Sequence, residues 1–381
     1  MKQIKINEAS IKMTKFIPIA VPHLSGNEKK YVMDCIDTTW ISSNGKYIGQ
    51  FESSFSKWIN SKHALSCANG TVALHLPLLA LEVKTGDEVL IPTFTYIATA
   101  NAVRYCGGTA VLVDCLPDTW NMDPADMERK ITPRTRGVIP VHLYGNPCDM
   151  DAIMSIAKKH NLFVVEDAAE CHGAEFGGRR AGTFGEAGVF SFFGNKIITT
   201  GEGGMVVTDN DDLAEKMRLF KGQGMDPNRR YWFPITGYNY RMTNIEAALG
   251  LAQLEHVEEH IAARYTIADW YAEFLGGLED YFVPQIPTAG AKNVWWMYSI
   301  LITSRSKISR DELMSALAAD GIETRPLFYP MHVMPAFYDE NAGCPVSEDI
   351  SARGINLPTH ALLTREDVEY ICQRLKSHVL G

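Results

Sequence analysis

The stretch Ser191-Phe-Phe-Gly-Asn-Lys196-Ile-Ile-Thr-Thr-Gly201-Glu-Gly-Gly204 closes an apolar run that begins at Ala187. Ala187 to Phe193 predicts a buried strand. The run delivers one lysine into a segment of small and hydroxyl side chains instead of onto a charged helix face. A lysine among Gly, Asn, Ile and Thr is poorly solvated, which lowers its pKa and exposes a neutral amine able to condense with an aldehyde. Lysines are mostly surface residues, so the segment read alone fits an exposed loop better than an active site, and the rest of the chain must decide.

The chain has 381 residues, enough for one large and one small domain with an ample core. Hydrophobic residues make up 46% and charged ones 21%, the proportions of an ordinary globular protein. A net charge of -9 and a pI near 5.7 argue against a nucleic-acid partner, which needs a clustered basic face. The eight cysteines contain no Cys-x-x-Cys pair and several sit in apolar strands, a pattern of reduced, buried thiols and not of a disulfide frame or metal site. No run of 18 apolar residues occurs, and Met1 to Lys15 lacks the apolar centre of a signal peptide. A cytoplasmic protein with no membrane partner and no metal is expected.

Outward from the lysine, short β-branched runs alternate with helical patterns. Strands are predicted at His63 to Cys67, Glu88 to Ile91, Ala110 to Val113, Gly137 to His142, Leu162 to Val165 and Met205 to Thr208. Helices are predicted at Val72 to Leu81, Ile97 to Tyr105, Met150 to His160 and Leu213 to Lys221. This alternation indicates an α/β fold whose large domain holds a mostly parallel sheet flanked by helices. One long helical pattern starts after Thr243-Asn244 and runs to about Phe274. The domain boundary is placed along it, giving a large domain over 1–255 and a smaller C-terminal α+β domain over 256–381.

In such sheets ligands bind beyond the carboxyl ends of the strands. After the first strand comes Ala68-Asn-Gly-Thr71, a turn into a helix whose unpaired N–H groups attract anions. Thr93-Phe-Thr-Tyr96 follows the second, and Glu166-Asp167-Ala-Ala-Glu170 follows the strand ending at Val165. Asp167 read alone also fits a helix cap. Together, an aromatic ring, an aspartate, a lysine and a phosphate cradle are what pyridoxal 5′-phosphate requires: a stacking face, an acid for the ring nitrogen, an amine for the aldehyde and donors for the phosphate.

On these residues the chain resembles the DegT/DnrJ/EryC1/StrS sugar aminotransferases, a fold-type I group that uses pyridoxal phosphate. The resemblance runs from about Ile17 to the C-terminus. It is carried by Asn69-Gly-Thr-Val-Ala-Leu-His75, Glu166-Asp-Ala-Ala-Glu170, Ser191-Phe-Phe-Gly-Asn-Lys196, Thr200-Gly-Glu-Gly-Gly204 and Gly237-Tyr-Asn-Tyr-Arg-Met-Thr243. It implies that Lys196 holds the cofactor and moves the substrate proton, and that Asp167 keeps the ring nitrogen protonated. By the same resemblance Tyr96 stacks on the ring, Gly70, Thr71 and Ser191 bind the phosphate, and Asn239 reaches the phosphate of a neighbouring subunit, so the active sites of a homodimer are shared. Glu170 stands where the family often has Gln, beside the ring's 3-oxygen. A carboxylate facing a phenolate repels it, so one of the two carries a proton.

The segments Thr38 to Ser43, Phe220 to Gly224, Tyr231-Trp232 and Glu323 to His332 are similar to those members that move an amino group from L-glutamate to C4 of GDP-4-keto-6-deoxymannose. Arg229, Arg230, Arg241 and Arg325 suit a diphosphate, and Tyr231 or Trp232 a base. Each of these arginines also fits a plain surface position. Tyr329 and His332 fit either sugar contact or a Pro-bounded structural turn. Transfer to a UDP- or dTDP-linked keto sugar, a family 3-dehydratase and a non-catalytic sugar-nucleotide sensor are the competing readings. Lys196 speaks against the last two, since the dehydratases carry histidine there.

Overall fold

The computed structural model describes residues 15–380. The N-terminal stretch read above for a targeting signal lies almost wholly outside the described residues. In chain order the first nine strands are β1 (His63–Cys67), β2 (Glu88–Pro92), β3 (Thr109–Val113), β4 (Thr135–Val138), β5 (Phe163–Asp167), β6 (Glu175–Phe176), β7 (Arg179–Arg180), β8 (Ala187–Ser191) and β9 (Gly204–Thr208). All but β6 and β7 form one seven-stranded sheet of order β1-β9-β8-β5-β4-β2-β3. Pairings among β2, β3, β4, β5 and β8 are parallel, and β9 runs antiparallel to both β1 and β8. Every residue of β2, β8 and β9 is buried, as a sheet covered on both faces requires.

The helices over these strands are α1 (Glu28–Asp37), α2 (Lys46–Ile59), α3 (Gly70–Ala80), α4 (Ala98–Tyr105), α5 (Pro124–Arg129), α6 (Met150–Lys159), α7 (Asp211–Lys221), α8 (Asn244–Leu254) and α9 (Val257–Leu275). One face of the sheet meets α3, buried on nearly all sides, with Val165, Val189 and Val206 beneath it. On the other face Phe55 of α2 packs edge-on against Phe190 and Phe192, and Phe51 lies tilted against Phe192. The lysine segment therefore leaves a strand clamped from both sides.

A second, antiparallel sheet of order β10-β12-β14-β13 is made by β10 (Phe282–Pro284), β12 (Tyr298–Ile302), β13 (Arg325–Pro326) and β14 (Gly354–Leu357), while β11 (Ala291–Lys292) pairs with β6. Ile300, Ile355 and Leu357 pack there on α10 (Arg310–Ala319) and α12 (Arg365–Leu380), and α11 (Pro345–Arg353) lies beside β12. All eight cysteines are free. Among the described residues no helix is long and apolar enough to cross a membrane.

Three expectations are corrected. The strand predicted to reach His142 ends at Val138, because Pro140 has no N–H for the ladder. The chain instead accompanies β5 irregularly: Asp167 N donates to Pro140 O (2.9 Å) and His142 N to Asp167 O (3.1 Å). The single long helix is two, α8 and α9, separated at Glu255-His256, where His256 is non-helical and the Glu255 carboxylate accepts from Asn27 Nδ2 and Tyr31 Oη (both 2.7 Å). With neither Pro nor Gly at the break, periodicity carries straight across it. Thirdly, β5 continues through Glu166 and Asp167 instead of ending before them.

That last shift separates two adjacent carboxylates, because successive strand residues face opposite sides of a sheet. Glu166 turns away from the cleft described below and accepts from four donors: the backbone N–H groups of Gly182 (2.7 Å), Phe184 and Gly185 (2.8 Å), and His142 Nε2 (3.0 Å). The His142 Nδ1 accepts from Cys148 N, which assigns the ring proton to Nε2. Glu166 thus ties the loop before β8 to β5. Glu166→Ala leaves these buried donors without an acceptor and is expected to cost about 3 kcal/mol or more in stability, read as a lower midpoint in urea or heat. A loss under about 1 kcal/mol would mean that water replaces the carboxylate fully.

Candidate active site

The residues that follow β1, β2, β5 and β8 meet residues from the C-terminal part of the chain around a cleft of about 640 Å³. This is the position expected at the carboxyl ends of parallel strands. At its base α3 opens. Asn69 caps the helix by accepting from Val72 N (3.0 Å), which leaves the earlier amides, with Thr71 and Ser191, on the cleft wall. A Cβ built on Gly70 lies 2.9 Å from Ser191 Cβ, so any other residue would fill the space above the helix N-terminus.

Asp167, the last residue of β5, is 5% exposed. Its Oδ2 accepts from Thr99 Oγ1 (2.8 Å) and its Oδ1 from Ala169 N (3.2 Å). Burial raises its pKa, while the Thr99 and Ala169 hydrogen bonds and the nearby Lys196 oppose the rise. Such a carboxylate gains from a cation placed beside it. Tyr96, after β2, presents an exposed ring in the cleft, 6.1 Å from that of Phe328.

Beyond β8 the chain turns through Gly194 and Asn195, and Lys196 points back into the cleft with its side chain 10% exposed. Its Nζ lies 3.6 Å from Glu170 Oε1 and 3.6 Å from the ring centroid of Trp296, whose Nε1 donates to Asn195 O (2.8 Å). Burial lowers the lysine's pKa, and Glu170 and Asp167 hold it up in part. Burial pushes Glu170 up to about 7, against the pull of Lys196. Arg264, on α9, is buried with no carboxylate partner among the described residues, its Nη1 donating to the carbonyls of Trp296 (2.8 Å) and Thr359 (3.0 Å). Its charge further disfavours the ammonium form of Lys196.

Lys196, Asp167, Glu170, Gly70, Thr71, Tyr96, Ser191 and Arg325 therefore share one cleft. Arg229, Arg230, Tyr231, Trp232, Arg241, Tyr329 and His332, expected on the substrate side of the site, do not line it, and neither does Asn239, which the resemblance assigns to the cleft of a neighbouring subunit. The loop after α7 returns on itself, with a Gly222–Asn239 bridge. Arg229 stacks on Trp232 at 4.0 Å and Arg230 on Tyr231 at 4.9 Å, while Arg241 Nε donates to Asn239 Oδ1 at 3.1 Å. His332 is buried between Thr93 Oγ1 (2.8 Å) and Glu348 Oε1 (3.1 Å), contacts that tie its turn to the segment after β2. Tyr329, beside that turn, is exposed.

Sequence reasoning missed Thr99, Tyr144, Trp296 and Asn356. The adjacent Trp295-Trp296 pair was the one legible hint. Tyr144 carries a left-handed backbone (φ 57°) although fully buried, and nothing in its local sequence announces that.

An anion cradle that only glycine leaves open, a buried carboxyl with room for a cationic partner and a poorly solvated amine fit pyridoxal phosphate at phosphate, ring nitrogen and aldehyde. The fold and the cleft define a pyridoxal-phosphate-dependent aminotransferase of fold type I. The chain belongs to the DegT/DnrJ/EryC1/StrS aminotransferase family, whose profile matches residues 22–376. It is 53% identical to the GDP-perosamine synthase of Caulobacter vibrioides over 94% of this chain and 97% of that enzyme. It is 48% identical to the GDP-perosamine synthase of Escherichia coli O157:H7, over 95% of this chain and 98% of that one. Among solved structures, Helicobacter pylori PseC, an aminotransferase involved in the biosynthesis of pseudoaminic acid, superimposes with a TM-score of 0.90 at 28% identity, covering 96% of this chain and 100% of that one.

Proposed function

We propose that this chain transfers an amino group from L-glutamate to C4 of GDP-4-keto-6-deoxymannose, giving GDP-perosamine for the O-antigen or another cell-surface polysaccharide, and that it works in the cytoplasm. The observation that carries the reading is the near full-length likeness to two GDP-perosamine synthases. When bound, pyridoxal phosphate supplies an aldehyde that carries the amino group between donor and acceptor and a ring that takes up electron density. Lys196 Nζ, its pKa lowered by burial, takes the proton from the substrate carbon and returns it. Asp167 holds a proton on the ring nitrogen. Gly70, Thr71 and Ser191 seat the phosphate through amide and hydroxyl donors, Tyr96 covers a ring face, and Glu170 lies at the cofactor's edge. Arg325 meets the nucleotide diphosphate.

The chain is proposed to act as a homodimer in which the loop bearing Arg229, Arg230, Tyr231, Trp232, Asn239 and Arg241 completes the partner's cleft. The support is its exposure: Tyr231, Trp232 and Phe233 are all more than half exposed, unusual for adjacent aromatics without a partner surface. We place the division between catalytic and capping units at residues 255 and 256.

The test is a substrate panel. With L-glutamate as donor, turnover of the GDP-linked 4-keto sugar is expected to exceed that of the UDP- and dTDP-linked counterparts by about 100-fold or more. No turnover of the GDP sugar retires this assignment, and preference for another nucleotide replaces it. For the shared cleft, mixing Asn239→Ala chains with Lys196→Ala chains is expected to restore part of the activity that each lacks. No recovery on mixing argues for self-contained sites.

A further inference from the structure

We infer that His75, on α3, is a positioning residue for the neighbouring subunit: it clamps Tyr238 and Tyr240 so that Asn239, between them, is turned outward to the partner's phosphate cradle. The clamp lies within one chain, while its effect on the chemistry rests on the shared cleft proposed above.

The segment that carries Asn239 starts at a tight crossing. A Cβ on Gly237 would lie 2.1 Å from Gly224 N, so the two limbs of the loop touch where only glycine fits. From there Tyr238 N donates to Phe220 O (2.7 Å), Gln223 N to Tyr238 O (2.9 Å) and Tyr240 N to Lys221 O (3.1 Å). Ala68 N, in the turn before α3, donates to Tyr240 O (2.9 Å). The pairing amounts to isolated bridges, Gly222 with Asn239 and Cys67 with Arg241. So short a pairing specifies register weakly, and a slip of one residue would exchange the tyrosine face for the asparagine face. Side chains must hold the phase.

His75 does this. It is 3% exposed, and its Nδ1 lies 2.9 Å from Tyr240 Oη. Its Nε2 is buried with no partner among the described residues, so Tyr240 is the ring's one hydrogen-bonding contact there. The ring meets that of Tyr238 edge-on at 5.4 Å and that of Tyr240 at 5.9 Å, and the two tyrosines stack on each other at 4.9 Å. Residues two apart in an extended segment share a face, and the one between them takes the other. Tyr238 and Tyr240 are accordingly half-buried and Asn239 is exposed. Asn239 Oδ1 accepts from Arg241 Nε (3.1 Å), and its Nδ2 donor has no partner among the described residues. Burial lowers the pKa of His75 to about 4 and raises that of Tyr240 to about 12, so the contact joins two neutral groups and carries no acid–base role near neutral pH.

The clamp stands between two sites. Gly70 and Thr71 of one cradle open α3, and His75 follows about one turn later. Tyr105 of α4, which lines the same cleft, meets the His75 ring edge-on at 5.6 Å. One helix thus bears on the phosphate of its own cleft through its first turn and on the partner's through His75.

Mixed dimers built from two differently tagged full-length chains test this placement, assayed at a pyridoxal phosphate concentration that saturates the parent and not the variants. His75→Ala paired with Lys196→Ala is expected to recover about half the parental activity, since one of the two clefts then combines an intact lysine with an intact Asn239 segment from the other chain. His75→Ala paired with Asn239→Ala should stay at the level of either variant alone, because neither chain supplies a sound segment. Binding is read separately by absorbance titration of the His75→Ala homodimer. Pyridoxal phosphate is expected to bind about tenfold more weakly, and pyridoxal, which lacks the phosphate, as in the parent. His75→Asn, which keeps a hydrogen-bonding group, should restore part of the loss. If His75→Ala folds poorly, Tyr240→Phe deletes the same hydrogen bond from the other side and the same pairings decide. Recovery against Lys196→Ala by Asn239→Ala but not by His75→Ala overturns the inference alone, because His75 then acts in its own cleft. Recovery by neither removes the shared cleft and the inference with it. An unchanged titration, or equal weakening of pyridoxal phosphate and pyridoxal, also overturns the inference.

Discussion

Replacing Lys196 with alanine is expected to lower turnover by about 1,000-fold or more, because in the proposed roles it removes both the amine that holds the cofactor and the base that moves the substrate proton. Among the described residues that line the cleft no other carries an amine, and the remaining cation there is the guanidinium of Arg325. The substitution is also expected to abolish the visible absorption of the reconstituted protein, since the aldehyde then has no lysine to join. Stability should hardly change: Lys196 makes one loose ion pair, and Glu170, already near neutrality, takes up a proton when its partner is lost. Lys196→Arg, which keeps the charge and loses the nucleophile, should fail equally. Absorbance titration with pyridoxal phosphate and a single-turnover assay check both points. Residual activity above about a tenth of the parent value would remove Lys196 from the chemistry.

Asp167→Asn is expected to slow the half-reaction by about 1,000-fold, with the fold intact. An amide keeps the shape and one of the two acceptors that serve Thr99 and Ala169, but it has no charge to hold a proton on a ring nitrogen. Burial raises the pKa of this carboxyl, so a cation placed beside it favours the anion. Deleting the charge therefore removes an interaction that exists fully only when cofactor is bound, and the loss should appear in rate more than in melting temperature. Turnover within tenfold of the parent would show that the ring nitrogen needs no anionic partner here.

Much of this site was legible in the chain. Lys196, Asp167, Tyr96 and the turn at Gly70 all follow strands whose apolar, β-branched pattern is hard to mistake, and strand ends are where a parallel sheet opens to ligands. Boundaries were less legible. The two-residue shift of β5 that put Glu166 and Asp167 on opposite faces has no local signature, because Val-Val-Glu-Asp reads as a strand followed by a cap as readily as a strand that ends in carboxylates. The short helices α5 and α11 open on Pro at or near their first turn and are too short for periodicity to register.

The distant contacts were not legible at all. Trp296 lies 100 residues from Lys196, and Tyr144, Phe328 and Asn356 come from three further segments. Aromatic residues in apolar surroundings read as core, and only their meeting around one amine makes them part of a site. Conversely, the arginines and aromatics of Gly222 to Arg241 looked like cleft residues by composition. In the folded chain they stack on one another outside it, because a self-paired loop leaves its side chains no reach into its own cleft.

By itself the sequence determined the sheet, the cofactor and the lysine, since these depend on local periodicity and on residue types fixed by the chemistry of an aldehyde, a ring nitrogen and a phosphate. The tertiary structure alone decided which of two adjacent carboxylates faces the cleft and that Glu170 lies within reach of Lys196. It alone also decided that burial raises the pKa of Glu170 and lowers that of Lys196. Strand phase, distance and desolvation are properties of packing between remote segments, and no stretch of chain carries them on its own.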